Sequence, residues 1–341
     1  MRLRVPDVRV ADVETCDFSL VPRYDTATLL QTVLSGAGER YLTAAVSRKL
    51  IQELGVEHRY LTQCPGLAPA PARLSALDLA RSAIHRLQTR RRQELEWLDA
   101  FIFVSTSNPS PVTSQAALLA SEFGFHGSCF DLKAGCSGGV LGLMQAALLI
   151  RAGCERVLVV MAENLSQLTP AEDLRMLLTV GDGAAAVLLE RHPGPGFLSI
   201  IHGSAPEYAG AMAVPAPFPP RDATVRYQFE FRGTSRAAAF IQARWPALYG
   251  ESLKAAGIGG GELAQCFVHQ THAAQVARFR ADHDLPPDRV GYVAGDHGNM
   301  GSPTFAVAMA SKFCRLQPGD KYLMQAVGGG ISWCAIVAEH R

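Results

Sequence analysis

The stretch Asp131-Leu132-Lys133-Ala134-Gly135-Cys136-Ser137-Gly138-Gly139 runs directly into Val140-Leu141-Gly142-Leu143-Met144-Gln145-Ala146-Ala147-Leu148-Leu149-Ile150. The second segment is apolar nearly all round, so it reads as a helix buried on every side. Upstream, Ala100-Phe101-Ile102-Phe103-Val104-Ser105 is a short apolar run of strand type, and downstream Arg156-Val157-Leu158-Val159-Val160-Met161 is another. Strand, helix and strand in that order imply a parallel sheet. An amphipathic helix beginning at Leu74-Ser75-Ala76-Leu77-Asp78-Leu79-Ala80 precedes the first strand, and the alternation gives an α/β protein.

Two stretches further along resemble each other. Gly181-Asp182-Gly183-Ala184-Ala185-Ala186-Val187-Leu188-Leu189-Glu190 and Gly328-Gly329-Gly330-Ile331-Ser332-Trp333-Cys334-Ala335-Ile336-Val337-Ala338-Glu339 are each a glycine turn, an apolar strand and a closing glutamate. They suggest two halves of similar topology, residues 1–192 and 193–341, joined where His192-Pro193-Gly194-Pro195-Gly196 breaks regular structure. The proline-rich segment Pro206–Arg221 reads as a packed loop or lid.

Cys136 is the residue that carries chemistry. Small neighbours leave room for a bulky acyl group, and the first turn of a helix favours thiolate over thiol. The chain has 8 cysteines, and Cys16, Cys64, Cys129, Cys154, Cys266, Cys314 and Cys334 lack any comparable setting. Buried free cysteines ordinarily just fill space.

Bulk properties narrow the classes. At 341 residues, 48% hydrophobic and 18% charged with a net charge of +1, the chain has ample core and no character of a nucleic-acid binder. Arg86 and Arg90-Arg91-Arg92 read as the solvated end of a helix, with a docking patch for an acidic partner as the lesser alternative. No secretory leader opens the sequence, and no apolar stretch is long enough to span a bilayer. Cysteine spacing fits neither a zinc site nor a disulfide scaffold, so the expected setting is cytoplasmic and reducing, with no metal and no resident cofactor.

Possible partners of the thiol lie downstream. Gln265-Cys266-Phe267-Val268-His269-Gln270 is a short strand delivering a histidine at its C-terminal end, where ligands collect in parallel sheets. Gly295-Asp296-His297-Gly298-Asn299-Met300-Gly301-Ser302-Pro303 is a turn feeding a helix, with Ser302 suited to the N-cap and Pro303 to the first helical position. Cys136, His269 and Asn299 together suit acyl transfer: the thiolate accepts an acyl group, while His269 Nε2–H and the Asn299 amide stabilise a thioester oxygen as it gains charge. The backbone N–H of Cys136 and one from Gly328-Gly329-Gly330 suit a separate oxyanion hole.

In order and spacing, Gly55-Val56-Glu57-His58-Arg59, Ala134-Gly135-Cys136, Gly181-Asp182-Gly183-Ala184, Val268-His269-Gln270, His297-Gly298-Asn299 and Gly328-Gly329-Gly330-Ile331-Ser332-Trp333 resemble the β-ketoacyl-acyl-carrier-protein synthase III type of thiolase-fold condensing enzyme, from about Leu50 to the C-terminus. The resemblance implies a homodimer of αβαβα-layered subunits. It implies Cys136 as the acyl-accepting nucleophile, His269 and Asn299 as ligands of the malonyl thioester carbonyl, and Gly329 with Cys136 as the oxyanion hole. The implied reaction is decarboxylative Claisen condensation with malonyl on acyl carrier protein or coenzyme A, in fatty-acid or secondary-metabolite synthesis.

The chain also departs from the family pattern. His272 stands where the family usually has an asparagine, and Lys49 and Glu53 where members commonly hold the nucleotide of coenzyme A with tryptophan and arginine. A glutamate cannot clamp a phosphate, which favours an unusual donor or a protein-bound acyl group. Arg175 falls near a family cofactor-binding arginine. Two other readings compete: acyl transfer to an oxygen or nitrogen acceptor, and a non-catalytic subunit. Retention of His269 with Asn299 argues against the first, and the presence of Cys136 against the second.

Overall fold

The computed structural model describes residues 2–37, 49, 51–64, 74–110, 112–171, 173–215, 219, 222, 227–232 and 234–341. Ten longer strands carry the fold: β1 (Arg2–Val5), β2 (Val8–Thr15), β3 (Ala100–Val104), β4 (Ser128–Leu132), β5 (Arg156–Asn164), β6 (Asp182–Arg191), β7 (Phe197–Ser204), β8 (Leu263–Val268), β9 (Lys321–Val327) and β10 (Ser332–Glu339). They form two five-stranded sheets, ordered β2-β6-β5-β3-β4 and β1-β7-β10-β9-β8.

The helices that pack on them are α1 (Ala76–Glu96), α2 (Gln115–Phe123), α3 (Gly138–Arg151), α4 (Thr234–Ala256), α5 (Ala273–Asp282) and α6 (Thr304–Ala310). Val140, Leu143 and Ala147 of α3 and Phe305 and Met309 of α6 share one core with Ile102 and Val159 of the first sheet and Phe267 and Met324 of the second. These two helices are therefore the middle layer, which is why α3 has no polar face. Leu79, Ile84 and Leu87 of α1 and Leu119 of α2 cover the outer face of the first sheet. Trp245 and Leu248 of α4 and Phe279 of α5 cover that of the second. The result is the five-layered αβαβα thiolase arrangement.

Each sheet is mixed where the strand–helix–strand pattern alone implies a parallel one. β3 runs parallel to β4 and β5, but β6 returns antiparallel to β5. In the second sheet β8 and β9 are parallel and β10 returns antiparallel. Between β9 and β10 the glycine turn 328–331 is too short for anything but a reversal, whereas residues 165–181, with two short helical segments, separate β5 from β6. The first sheet's last strand ends at Arg191 and β7 begins at Phe197, while β1 crosses over to pair with β7.

The helix expected from Leu74 starts at Ala76, where Ser75 and Asp78 form a reciprocal capping box. The arginines near its other end are not an open patch. Arg86 and Arg90 bind Glu14, Arg90 and Arg91 bind Asp12, and Arg92 pairs with Glu96. The chain's own carboxylates neutralise the charge that an acidic partner would need. Among the described residues no helix is long and apolar enough to cross a membrane.

Candidate active site

Cys136 sits in a single 3-10 turn, Gly135–Ser137, immediately ahead of α3. The segment after β9 lies against this turn so closely that a Cβ on Gly328 would stand 2.9 Å from the Ser137 nitrogen and 3.1 Å from that of Cys136. Only glycine admits that approach. Ser137 Oγ shares a 2.6 Å hydrogen bond with Ser332 Oγ, joining the two halves at the turn.

The helix terminus alone predicts a lowered thiol pKa, and the structure reverses that expectation. Burial is the largest influence on Cys136 and pushes the thiol up to about 11, with the Glu163 carboxylate adding to the rise. Hydrogen bonds from the backbone of Gly329 and of Cys136 itself act the other way without overcoming burial. The N–H groups expected to form the oxyanion hole therefore already converge on the sulfur.

His269 follows β8, and its backbone N–H donates to the Gln325 carbonyl of β9 at 2.8 Å. It is 2% exposed, and burial holds its imidazole neutral with a pKa of about 4, against an opposing hydrogen bond with the Gly301 backbone. Its Nδ1 has no hydrogen-bond partner among the described residues. Gln270 secures the strand end: its amide donates to Gly291 O at 2.7 Å and accepts from the N–H of Val293 at 2.9 Å.

Asn299 is held on both sides of its peptide. Its N–H donates to Thr179 O at 2.6 Å, and its carbonyl accepts from the Gly181 N–H at 2.9 Å. A Cβ on Gly181 would meet His297 O at 1.9 Å, so the two segments touch through bare backbone. The Asn299 side-chain Oδ1 accepts from the Gly301 N–H at 2.9 Å. That engagement orients the amide and leaves its Nδ2 donors to the cavity.

The helix after this turn starts later than its sequence suggests. Pro303 occupies the N-cap of α6, without a side-chain cap, and Ser302 is diverted to donate 2.9 Å to Glu163 Oε1. Glu163 is the residue that reading by pattern passes over. It stands next to last in β5, two positions beyond the apolar run, and is 1% exposed. A carboxylate closing a buried strand was the available signal.

One cavity of about 520 Å³ brings Cys136, His269, Asn299, Gly329 and His272 together. Beyond Met212 and Val327 it extends between facing stripes of α4 and α5, floored by Ile241, Trp245 and Phe279. A second space of about 650 Å³ shares Met176, Thr179, Ala238 and His272 with it and opens toward Glu53, Asp173 and Arg175. Arg175 is thus at the mouth, away from the sulfur. Lys49 lies 3.9 Å from Glu53 and is largely exposed. His272 stands at the start of α5, its Nδ1 3.1 Å from Thr271 Oγ1, and burial lowers its pKa.

Of the segment Pro206–Arg221, the described part holds a 3-10 turn, Pro206–Tyr208, and a short strand, Met212–Ala213, paired with Glu230–Phe231. Met212 from this strand packs 3.1 Å from where a Gly329 Cβ would be, so the segment walls the site. Residues 216–218, 220 and 221 lie outside the described residues. Among those described, no cluster of three or more His, Cys, Asp and Glu could hold a metal ion.

Residues 130–206 match the family model of 3-oxoacyl-[acyl-carrier-protein] synthase III, and residues 253–340 match that of its C-terminal portion. A β-ketoacyl-[acyl-carrier-protein] synthase III of Alkalilimnicola ehrlichii is 31% identical over 267 residues, 75% of this chain and 81% of that protein. A 3-oxoacyl-(acyl-carrier-protein) synthase from Burkholderia xenovorans superposes with a TM-score of 0.85 at 24% identity, covering 100% of this chain and 96% of the other. The priming β-ketosynthase of the R1128 polyketide pathway superposes with a TM-score of 0.82 at 21% identity, covering 99% and 98%.

Proposed function

This chain belongs to the 3-oxoacyl-[acyl-carrier-protein] synthase III family, and we propose that it performs decarboxylative condensation with Cys136, His269 and Asn299 as its catalytic residues. The observation that carries the assignment of roles is that these three residues and Gly329 line one cavity. As a member of this family the enzyme is an acyltransferase that joins an acyl thioester to a malonyl thioester.

In the first half-reaction the Cys136 sulfur attacks the donor thioester carbonyl. The S–C bond to the donor breaks, and the proton lost by Cys136 ends on the departing thiol, so the exchange is neutral overall. A thiol held high by burial suits such an exchange, since no thiolate has to persist in an apolar cavity. His269, kept neutral, is available to carry the proton between the two sulfurs. The oxygen of the tetrahedral intermediate faces the N–H groups of Cys136 and Gly329.

In the second half-reaction the malonyl carboxylate leaves as carbon dioxide, and its bonding electrons form an enolate. A ring N–H of His269 and Nδ2–H of Asn299 hold the enolate oxygen. The enolate carbon then attacks the acyl-Cys136 carbonyl, and collapse releases the sulfur, which recovers a proton. Decarboxylation makes the carbanion without a strong base, in keeping with a cavity that no lysine lines among the described residues.

Acyl carrier protein is the proposed bearer of the malonyl group, delivered past Arg175 and His272 at the mouth. A homodimer is proposed as the assembly: β4 ends its sheet with one edge unpaired, which is where a second copy can extend it. Intact-protein mass after mixing with acyl-CoA and acyl-carrier thioesters, followed by malonyl-carrier protein, tests the reading. An adduct on Cys136 that malonyl discharges with release of carbon dioxide is expected. Discharge only by amines or alcohols would make the enzyme a heteroatom acyltransferase.

A further inference from the structure

Glu163 is a fully buried acid that neither half-reaction uses. Its carboxylate accepts from the Thr106 N–H at 3.0 Å, the Ser107 N–H at 3.0 Å, the Ser107 hydroxyl at 2.7 Å and the Ser302 hydroxyl at 2.9 Å. All of these groups act as donors, which suits an acceptor-only anion. Burial raises the Glu163 pKa, while the hydrogen bonds from Ser107, Ser302 and Thr106 oppose the rise. An isolated buried charge is costly, and so many charge-assisted bonds around one carboxylate are how it is tolerated.

The bonds join three separate pieces of chain. Ser107 and Thr106 follow β3, Glu163 is next to last in β5, and Ser302 closes the turn that presents Asn299. Ser302 is also the residue against which α3 packs: a Cβ on Gly139, three positions after Cys136, would stand 2.6 Å from the Ser302 carbonyl. Movement of Ser302 therefore changes the separation of the Asn299 amide and the Cys136 sulfur. We propose that Glu163 is a positioning residue that, through Ser302, fixes the Asn299 turn against the Cys136 helix while its carboxylate acts on the thiol.

The two effects can be separated because they reside in different bonds. Glu163→Gln removes the charge but retains a hydrogen-bonding partner for Ser302, whose hydroxyl can donate or accept. Ser302→Ala removes the tether and keeps the charge. The charged and titratable groups that line the sulfur's cavity are His269, just after β8, and His272, Arg278 and Asp282 from the α5 segment; Glu163 of β5 does not line it but acts on the thiol through its charge.

The first measurement is the pH profile of iodoacetamide alkylation at Cys136, followed by peptide mass because Cys314 is exposed. Removing a negative charge favours thiolate, so in Glu163→Gln the profile moves to lower pH and alkylation at pH 8 rises several-fold; Ser302→Ala leaves it in place. The second is the ratio of malonyl decarboxylation to Cys136 acylation, which falls about tenfold in Ser302→Ala and far less in Glu163→Gln. Unmoved alkylation in folded Glu163→Gln, or an unchanged ratio in Ser302→Ala, overturns the corresponding half of the proposal. This inference rests on the condensation reading only for the ratio. Alkylation needs no substrate, so an enzyme that failed to condense would still report the charge. If Glu163→Gln does not fold, the ratio in Ser302→Ala against wild type still decides the tether.

Discussion

Cys136 and Asn299 occupy equivalent places in the two halves, each lying just ahead of one of the two central helices, α3 and α6. In each half a strand, an outer helix, a further strand or its place, a central helix and a returning pair of strands follow in the same order. β3, β5, β6 and β2 neighbour one another as β8, β9, β10 and β7 do. In the proposed reaction one topological position thus carries the nucleophile in the first half and the amide donor in the second. The packing of α3 against α6 sets the distance across which an enolate must reach an acyl group.

That division of labour predicts separable defects. Asn299→Ala should still accumulate acyl-Cys136 while condensation falls about 100-fold or more, the loss typical of removing one donor to a developing oxyanion. Cys136→Ala should lose the acyl adduct altogether. Intact mass and carbon dioxide release, read on the same samples, distinguish the two. Normal condensation by Asn299→Ala would remove the amide from the mechanism.

Gly181 offers a test from outside the cavity. Adding a methyl group there drives a carbon to 1.9 Å from the His297 carbonyl, backbone against backbone, so the Asn299 turn has to shift. Gly181→Ala should cost on the order of 1–3 kcal/mol in urea unfolding. It should also depress condensation more than acylation, because Cys136 stands on the other helix. Equal loss of both steps would mean that the displacement spreads across the middle layer.

Pattern along the chain carries much of this arrangement. The all-round apolar α3 can only be a buried layer, and the glycine turns at Gly181 and Gly328 mark where strands return, so the halves and Cys136 are legible locally. His269 is legible because it ends a short strand. Glu163 and the fate of Ser302 are not, since their meaning lies in a contact between residues 139 positions apart. The elevated thiol pKa escaped for the same reason: a helix terminus is visible in sequence, but the burial that outweighs it is produced by the second half of the fold.

Glu53 and Arg175 share the mouth of the site, where the first repels a phosphate and the second attracts one. Glu53→Arg should lower KM for acyl-CoA several-fold at low ionic strength, with the gain shrinking as salt screens it. The effect on carrier-bound donors should be smaller, because a carrier protein's phosphopantetheine presents fewer phosphates than coenzyme A. An unchanged KM for acyl-CoA at low salt would place the nucleotide elsewhere.

His269 links the chemistry of the site to stability. Burial lowers its pKa from 6.5 to about 4 in the folded state. Between those values the unfolded chain binds a proton that the folded chain refuses, so stability rises with pH across the window. Its contribution is complete above about pH 6.5 and is lost as the pH falls toward 4, a change of about 3 kcal/mol. Carboxylates also protonate on the acid side, but they do so in wild type and variant alike. His269→Leu should therefore lose less stability than wild type between pH 7.5 and 4.5 in urea unfolding. Titration of the His269 ring protons by NMR gives the folded pKa without any substitution. A midpoint near 6.5, or parallel stability losses in the two proteins, would mean that the imidazole is open to water and free to carry charge during the reaction.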